Sequence, residues 1–210
     1  LIVAGSAGMT GAAYLSTMAA LRSGAGLTIT CAPSSLNSIY ENKITEGMTL
    51  ICNDDNNKGF FSEENYEVIM DHVNWCDALV IGPGIGVEKS TALLVEKLVQ
   101  NVEKPIVIDA DGLRPFYANL ELFKKIKSNF VITPHLGELG QIINKDPAEI
   151  RSKIDEIIDN FVKDFPGILL AKFSPSFVAW KTKGCVNSTG NPALATAGSG
   201  DILTGMIASL

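Results

Sequence analysis

Ala78-Leu79-Val80-Ile81-Gly82-Pro83-Gly84-Ile85-Gly86 holds four apolar residues that break into a Gly-Pro-Gly turn. A short apolar run bounded by such breakers reads as a strand buried on both faces. Ser90 to Val102 follows with helical spacing, and Pro105 to Ile108 is a second short apolar run that ends at Asp109. Working outward, the same alternation recurs. Leu1 to Ala4 is strand-like and runs into Gly5 to Ala13. Ala12 to Ser23 is helical, Leu27 to Cys31 is a strand, Glu63 to Asn74 is a helix, and Phe130 to Thr133 is a strand that stops at Pro134. Asp146 is placed to cap a helix from Pro147 to about Phe165, with proline at its first position. Ile168 to Ala171, Phe177 to Trp180 and Cys185 to Asn187 are three strands with no room for helices between them. Asp201 to Leu210 opens a last helix. Alternating strands and helices predict an α/β fold, a mostly parallel sheet with helices on both faces. The closely spaced strands predict an antiparallel edge. Asn53 to Gly59 reads as a surface loop.

Composition narrows the function classes. Hydrophobic residues make up 46% of 210 and charged residues 19%, with a net charge of −6. No basic block or stripe is present, which argues against nucleic acid and anionic membranes as partners. No apolar run is long enough to span a bilayer. Cys31, Cys52, Cys76 and Cys185 form no C-x-x-C pair, so no metal ligand set is expected, and they read as buried thiols of a reducing, cytoplasmic compartment. One domain over residues 1–210 is the simplest organisation. The chain starts inside a predicted strand and stops inside a predicted helix, so both ends are expected to be cut.

On open α/β sheets, ligands bind beyond the carboxyl ends of the strands. Glycine and polar clusters gather there: Gly5 to Ala13, Gly82 to Gly86, Asp109 to Gly112, and Thr133 to Glu138. Chain turning alone accounts for any one of them, less readily for four. The strongest block is Asn191 to Asp201. Small residues let the backbone approach a ligand, and the amides of Gly198, Ser199 and Gly200 before a helix make a cradle for a phosphoryl group. Asp201 then stands at the lip as a candidate general base. A plain helix cap is the alternative, but a cap does not call for glycines on both sides of a serine. His135 is either a loop holder or a substrate contact. Glu138 is as suited to capping as to catalysis. Asp109 and Asp111 are in range of magnesium through water, although a turn at Gly112 explains Asp111 equally well. Trp75 and Trp180 read as core or interface residues. Gly5, Gly8 and Gly11 are spaced by three and no acidic residue ends the second strand, so the dinucleotide fingerprint is not met.

These blocks resemble the NAD(P)H-hydrate dehydratases, a branch of the ribokinase-like superfamily. The matching text is A-G-S-x-x-M-T-G-A-A with A-L-R-S-G-A-G (Ala4 to Gly26), I-G-P-G-I-G (Ile81 to Gly86), I-D-A-D-G-L (Ile108 to Leu113), T-P-H-x-G-E (Thr133 to Glu138) and N-x-T-G-N-P-A-x-A-T-x-G-S-G-D-x-L-T-G (Asn187 to Gly205). The last block is shared with small-molecule kinases of the superfamily, while the first and T-P-H-x-G-E are more specific. The resemblance implies a ribokinase-like three-layer sandwich. It also implies ADP-dependent dehydration of hydrated NADH and NADPH, with Mg²⁺, in a homo-oligomer. It further implies Asp201 as the catalytic acid/base, and Ala12, Gly86, His135 and Asp201 as substrate contacts. Gly198, Ser199 and Gly200 are implied at the nucleotide phosphate, and Lys172, Phe173, Ser174, Pro175 and Ser176 at its adenosine part. T-P-H-x-G-E resembles the ADP-using form. The family's L-K-G-x-x-T is here Ala171-Lys172-Phe173-Ser174-Pro175-Ser176. Phe173 in place of glycine is expected either to close the adenine pocket or to stack on the base. The competing readings are a superfamily kinase acting on a thiazole or sugar alcohol, and a nucleotide-binding regulatory protein without catalysis.

Overall fold

Strand side chains alternate between faces, and this alternation divides the core in two. In the computed structural model, which describes residues 1–210 apart from the side chain of Pro192, Val3, Ile29, Cys31, Leu79, Ile81, Ile106 and Ile108 enter one apolar cluster. Ile2, Ala4, Ala32, Val80 and Val107 enter another on the opposite face. The strands are β1 (Ile2–Val3), β2 (Ile29–Pro33), β3 (Met48–Cys52), β4 (Leu79–Ile81), β5 (Ile106–Ile108), β6 (Phe130–Ile132), β7 (Ile168–Ala171), β8 (Ser176–Trp180) and β9 (Lys183–Asn187). They form one sheet in the order β3-β2-β1-β4-β5-β6-β7-β8-β9. β3 through β7 are parallel; β8 and β9 return antiparallel. The predicted mostly parallel sheet with an antiparallel edge is what the chain adopts. Strand order reverses between β1 and β4, so the loops after these two strands open on a crevice.

The helices are α1 (Thr10–Arg22), α2 (Asn37–Lys43), α3 (Tyr66–Val73), α4 (Lys89–Asn101), α5 (Leu136–Ile143), α6 (Pro147–Ser152), α7 (Ile154–Lys163) and α8 (Ser199–Ala208). α1, α2 and the end of α8 cover the second cluster through Ala13, Tyr40, Ile44 and Ile207. α3, α4 and α7 cover the first through Ile69, Val73, Leu94, Leu98, Ile158 and Val162. Sequence and structure part at several points. β3 was not legible, because its residues are mostly exposed or half-buried at the sheet edge. The helix expected from Pro147 to Phe165 is two helices that break at Lys153 (φ −135°, ψ 35°). Ile150 serves a small cluster with Leu139 and Ile157, while Ile158 and Val162 serve the main core. One straight helix would not reach both. Trp75 and Trp180 are exposed rather than core residues. Cys185 is exposed, unlike the other three cysteines. The last helix begins at Ser199, two residues before the expected start. Among the described residues no helix is long and apolar enough to cross a membrane.

Candidate active site

The loops after β1, β4 and β5 are tied to one another by short polar bonds. The Gly5 amide donates to the Pro83 carbonyl at 2.8 Å. The Ser6 hydroxyl donates to the Gly84 carbonyl at 2.9 Å, and the Gly86 amide donates to Asp111 Oδ2 at 3.3 Å. Ala12 lies in the first turn of α1, and a Cβ added at Gly84 would stand 2.9 Å from the Ala12 Cβ. Ala12 and Gly86 are therefore gathered at the reversal of strand order. Asp111 acts here as an acceptor that pins the β4 loop.

A neighbouring carboxylate supports the same wall. Asp54 is buried and accepts from the Ser34 hydroxyl, from the Ser35 amide at 3.1 Å and from the Gly59 amide at 2.7 Å. Gly59 in turn accepts from the Ala7 amide at 2.7 Å. The predicted surface loop 53–59 is thus anchored from inside. Burial opposes the Asp54 charge, but the donors outweigh it and hold the carboxyl below the ordinary aspartate range. A depressed folded-state value means that the stability Asp54 contributes is present above the unfolded value and is lost as pH falls through the folded one. Asp54→Ala is expected to lower stability at neutral pH by about 1–3 kcal/mol, since buried donors lose their acceptor. Urea unfolding at neutral pH and again in acid checks this, and the deficit should shrink in acid.

α8 supplies the opposite wall. Gly198 takes φ +86°, and a Cβ there would approach Leu15 Cδ1 to 2.5 Å. Ile202 makes the first helical bond, to the Gly198 carbonyl at 3.0 Å, and the Ser199 amide reaches Thr196 O at 3.3 Å. The Gly200 and Asp201 amides remain at the open helix end, where partial positive charge collects. The Ser16 hydroxyl of α1 donates to the Asp201 carbonyl at 3.0 Å and ties the two helices together. The Asp201 carboxyl is held above the usual carboxylate range, first by burial and then by the charge of Asp109, against a lowering by Lys172.

Beneath this helix end lies a compact polar unit. Asp109, 1% exposed at the end of β5, pairs through Oδ1 with Lys172 Nζ at 2.7 Å, and its Oδ2 accepts from the Thr204 hydroxyl of α8 at 2.8 Å. Each carboxylate oxygen is thus engaged by one protein donor. Beside it, at the end of β6, Thr133 is fully buried and its hydroxyl has no partner among the described residues.

The turn after β6 positions His135. Its Nδ1 accepts from the Gly137 and Glu138 amides at 3.0 and 3.2 Å, while Glu138 Oε2 accepts from the His135 amide at 2.7 Å. This capping box starts α5. With Nδ1 an acceptor, the ring proton belongs on Nε2, which is left as a donor. His135 is thus a loop holder, and its Nε2 faces Glu138 Oε1 at 3.5 Å. Glu138 is a cap, and burial foremost pushes its carboxyl upward, against lowering by the His135 amide and by Lys172. The Lys172 amide donates to the Pro134 carbonyl at 2.8 Å, and His135 and Lys172 form a parallel bridge. A pocket of about 400 Å³ opens here, lined by His135, Arg151, Ile154, Lys172, Phe173 and Pro175 among others. Ser174 also lines it, while the Ser176 hydroxyl closes the loop on the Phe173 carbonyl at 2.9 Å. Phe173 packs partly into the core, its ring edge-on to Phe177 with centroids 6.4 Å apart, and so walls the pocket without filling it. Sequence reasoning missed Thr204 and Arg151. Thr204 was findable one helical turn after Gly200; Arg151 reaches the pocket from α6 and left no local signal. A cavity of about 480 Å³ at the amino-terminal ends of β1, β2 and β4, near Trp75 and Ala208, lies at the wrong end of the sheet for these residues.

The chain resembles known proteins over its whole length. A family model described as NAD(P)H-hydrate dehydratase matches residues 1–210. A bifunctional NAD(P)H-hydrate repair enzyme of Moorella thermoacetica is 36% identical over 211 residues, covering 100% of this chain and 40% of that protein. The ADP-dependent (S)-NAD(P)H-hydrate dehydratase of Xanthomonas campestris is 33% identical, covering 99% of this chain and 70% of its own. The chain therefore spans about two fifths of the bifunctional relatives it matches. Among solved structures, the ADP/ATP-dependent NAD(P)H-hydrate dehydratase from Bacillus subtilis superposes with a TM-score of 0.78 at 24% identity, over 99% of this chain and 72% of that one. A hydroxyethylthiazole kinase from Pyrococcus horikoshii superposes at 0.57 with 13% identity, over 96% of this chain and 76% of its own. Those two likenesses establish the ribokinase-like fold, and the sequence matches over the full 210 residues establish the rest: the chain belongs to the NAD(P)H-hydrate dehydratase family.

Proposed function

We propose that this chain removes water from the hydrated nicotinamide ring of NADHX and NADPHX, using ADP as phosphoryl donor, and returns NADH or NADPH with AMP and phosphate. The observation that carries the reading is Asp201, half-buried with a raised carboxyl at the open end of α8, across the strand ends from Ala12 and Gly86. In this mechanism Asp201 accepts the proton of the ring hydroxyl at C6 as that oxygen attacks the β-phosphorus of ADP. The P–O bond to AMP breaks as the new one forms. The Gly200 and Asp201 amides stabilise charge on the transferring group. The nitrogen lone pair then expels phosphate from C6, and loss of the C5 proton restores the ring double bond. Ala12, Gly86 and the Nε2 donor of His135 contact the nicotinamide nucleotide. The 400 Å³ pocket walled by Lys172, Phe173, Ser174 and Pro175 receives the adenosine, with Ser176 bracing the loop. Among the described residues no group of three or more His, Cys, Asp or Glu could hold a metal ion. Magnesium is accordingly given no protein ligand, and no step is routed through it.

Hydrated NADH incubated with the protein, Mg²⁺ and either ADP or ATP tests the proposal. Return of the dihydronicotinamide absorbance with ADP, with phosphate released in step, is the expected result. Recovery with ATP alone would reassign the donor. No recovery with either, together with phosphorylation of a thiazole or sugar alcohol, would put a superfamily kinase in its place.

A further inference from the structure

Asp109, Lys172 and Thr204 come from three separate elements, the ends of β5 and β7 and the second turn of α8, yet they meet at one carboxylate directly under Gly200. A Cβ added at Gly200 would lie 3.4 Å from Lys172 Nζ and 3.7 Å from Asp109 Oδ2. A carboxylate buried this deeply is costly unless each oxygen is paired, and here each is. Thr204 has a single hydroxyl proton and two acceptors in reach, the carboxylate at 2.8 Å and the Gly200 carbonyl at 3.0 Å. The charged acceptor is the stronger, so the bond fastens α8 to β5. Lys172 is shared: its side chain serves Asp109, while its backbone is joined to the His135 turn and its residue lines the 400 Å³ pocket.

We infer that Asp109, Lys172 and Thr204 form a positioning unit for Asp201, which seats the amino end of α8 over the strand ends and sets the field in which Asp201 takes up and releases its proton. The inference rests on Asp201 being the proton acceptor proposed above. Of the charged groups on elements packed around Asp201, Asp109 from β5 opposes its ionisation and Lys172 after β7 favours it. α1 presents the uncharged Ser16, and Glu138 on α5 acts on Lys172 and Asp109. The two members of the ion pair therefore act on Asp201 with opposite sign.

The test is a ¹³C carboxyl titration of Asp201 in the whole chain, with the resonance assigned by its loss in Asp201→Asn. Lys172→Met should move the Asp201 titration up in pH. Asp109→Asn should move it down, and the double variant should return it close to the wild-type position. The acidic limb of the turnover profile should follow the same three shifts. Thr204→Val should lower turnover without weakening nucleotide binding, and Thr204→Ser should restore it. Should either charge variant fail to fold, the Thr204 pair carries the test, since both replacements keep the helix. Titrations that stay put, or that move the same way in both charge variants, would overturn the inference, as would a Thr204→Val protein with unchanged turnover. Opposite shifts in the charge variants, beside a wild-type protein that phosphorylates an alcohol through Asp201 but dehydrates no hydrated nucleotide, would instead sink the proposed function and leave the positioning unit standing.

Discussion

Asp201→Asn is expected to cost roughly two to four orders of magnitude in turnover, the span that a positioned general base contributes. At 1.36 kcal/mol per decade this is about 3–5 kcal/mol of barrier. The effect on folding should be much smaller, because two terms oppose each other. A negative charge in the first turn of α8 favours the helix by about 0.3–1 kcal/mol. Against it, burial and Asp109 hold the Asp201 carboxyl above its ordinary range. A raised folded-state value means that ionising Asp201 withdraws stability as pH rises through that value. The variant should therefore melt close to wild type at neutral pH and bind ADP normally, while losing catalysis. The measurement is a steady-state rate with hydrated NADH beside calorimetric binding of ADP. A variant that still turns over within about tenfold of wild type, short of the smallest effect a lost base produces, would remove Asp201 from the mechanism. In the wild type, the acidic limb of the rate profile should lie above the usual aspartate range.

Gly82→Ala carries the largest expected effect on stability. Gly82 takes φ +123°, and a Cβ there would stand 1.9 Å from the Asp109 carbonyl oxygen and 2.7 Å from the Gly112 amide. Both obstacles are backbone, so no side chain can rotate away, and the end of β4 would have to part from the end of β5. We expect a loss of roughly 3–5 kcal/mol, the range reserved for backbone strain and core disruption. Gly11→Ala is the control, since it lies inside α1 with open space around its Cβ position. There alanine should be neutral or stabilising by up to about 1 kcal/mol. Urea midpoints of the two proteins separate the readings. A Gly82 variant as stable as the Gly11 one would mean that the turn relaxes far more easily than its backbone contacts allow.

Much of the candidate site's wall was legible because its chemistry is local. A helix end that must expose amides to an anion calls for small residues at Gly198 to Gly200, and such a run is visible in the chain. The start of α5 was legible through His135 and Glu138, three residues apart. Lys172 was singled out only by the family resemblance, its partner Asp109 lies 63 positions away, and no spacing rule connects them. Thr204 reads in sequence as an ordinary helical residue, and becomes part of the site only when α8 lies across β5. Arg151 arrives by the same route from α6, after the break at Lys153.

By itself the sequence determined the alternation of strands and helices and the parallel sheet with its antiparallel edge, and it offered the glycine-bearing strand ends and Asp201 as candidates. Each of these follows from interactions between neighbours in the chain: side-chain periodicity, glycine at tight turns, and amides at a helix end. Only the tertiary structure decided which charges face one another. Parallel pairing brings the ends of β5, β6 and β7 side by side although tens of residues separate them along the chain, and a buried carboxylate must find its partners wherever the fold delivers them. That is why Asp109 stands bonded to Lys172 and Thr204 beneath Asp201, an arrangement set by contacts between residues far apart in the chain.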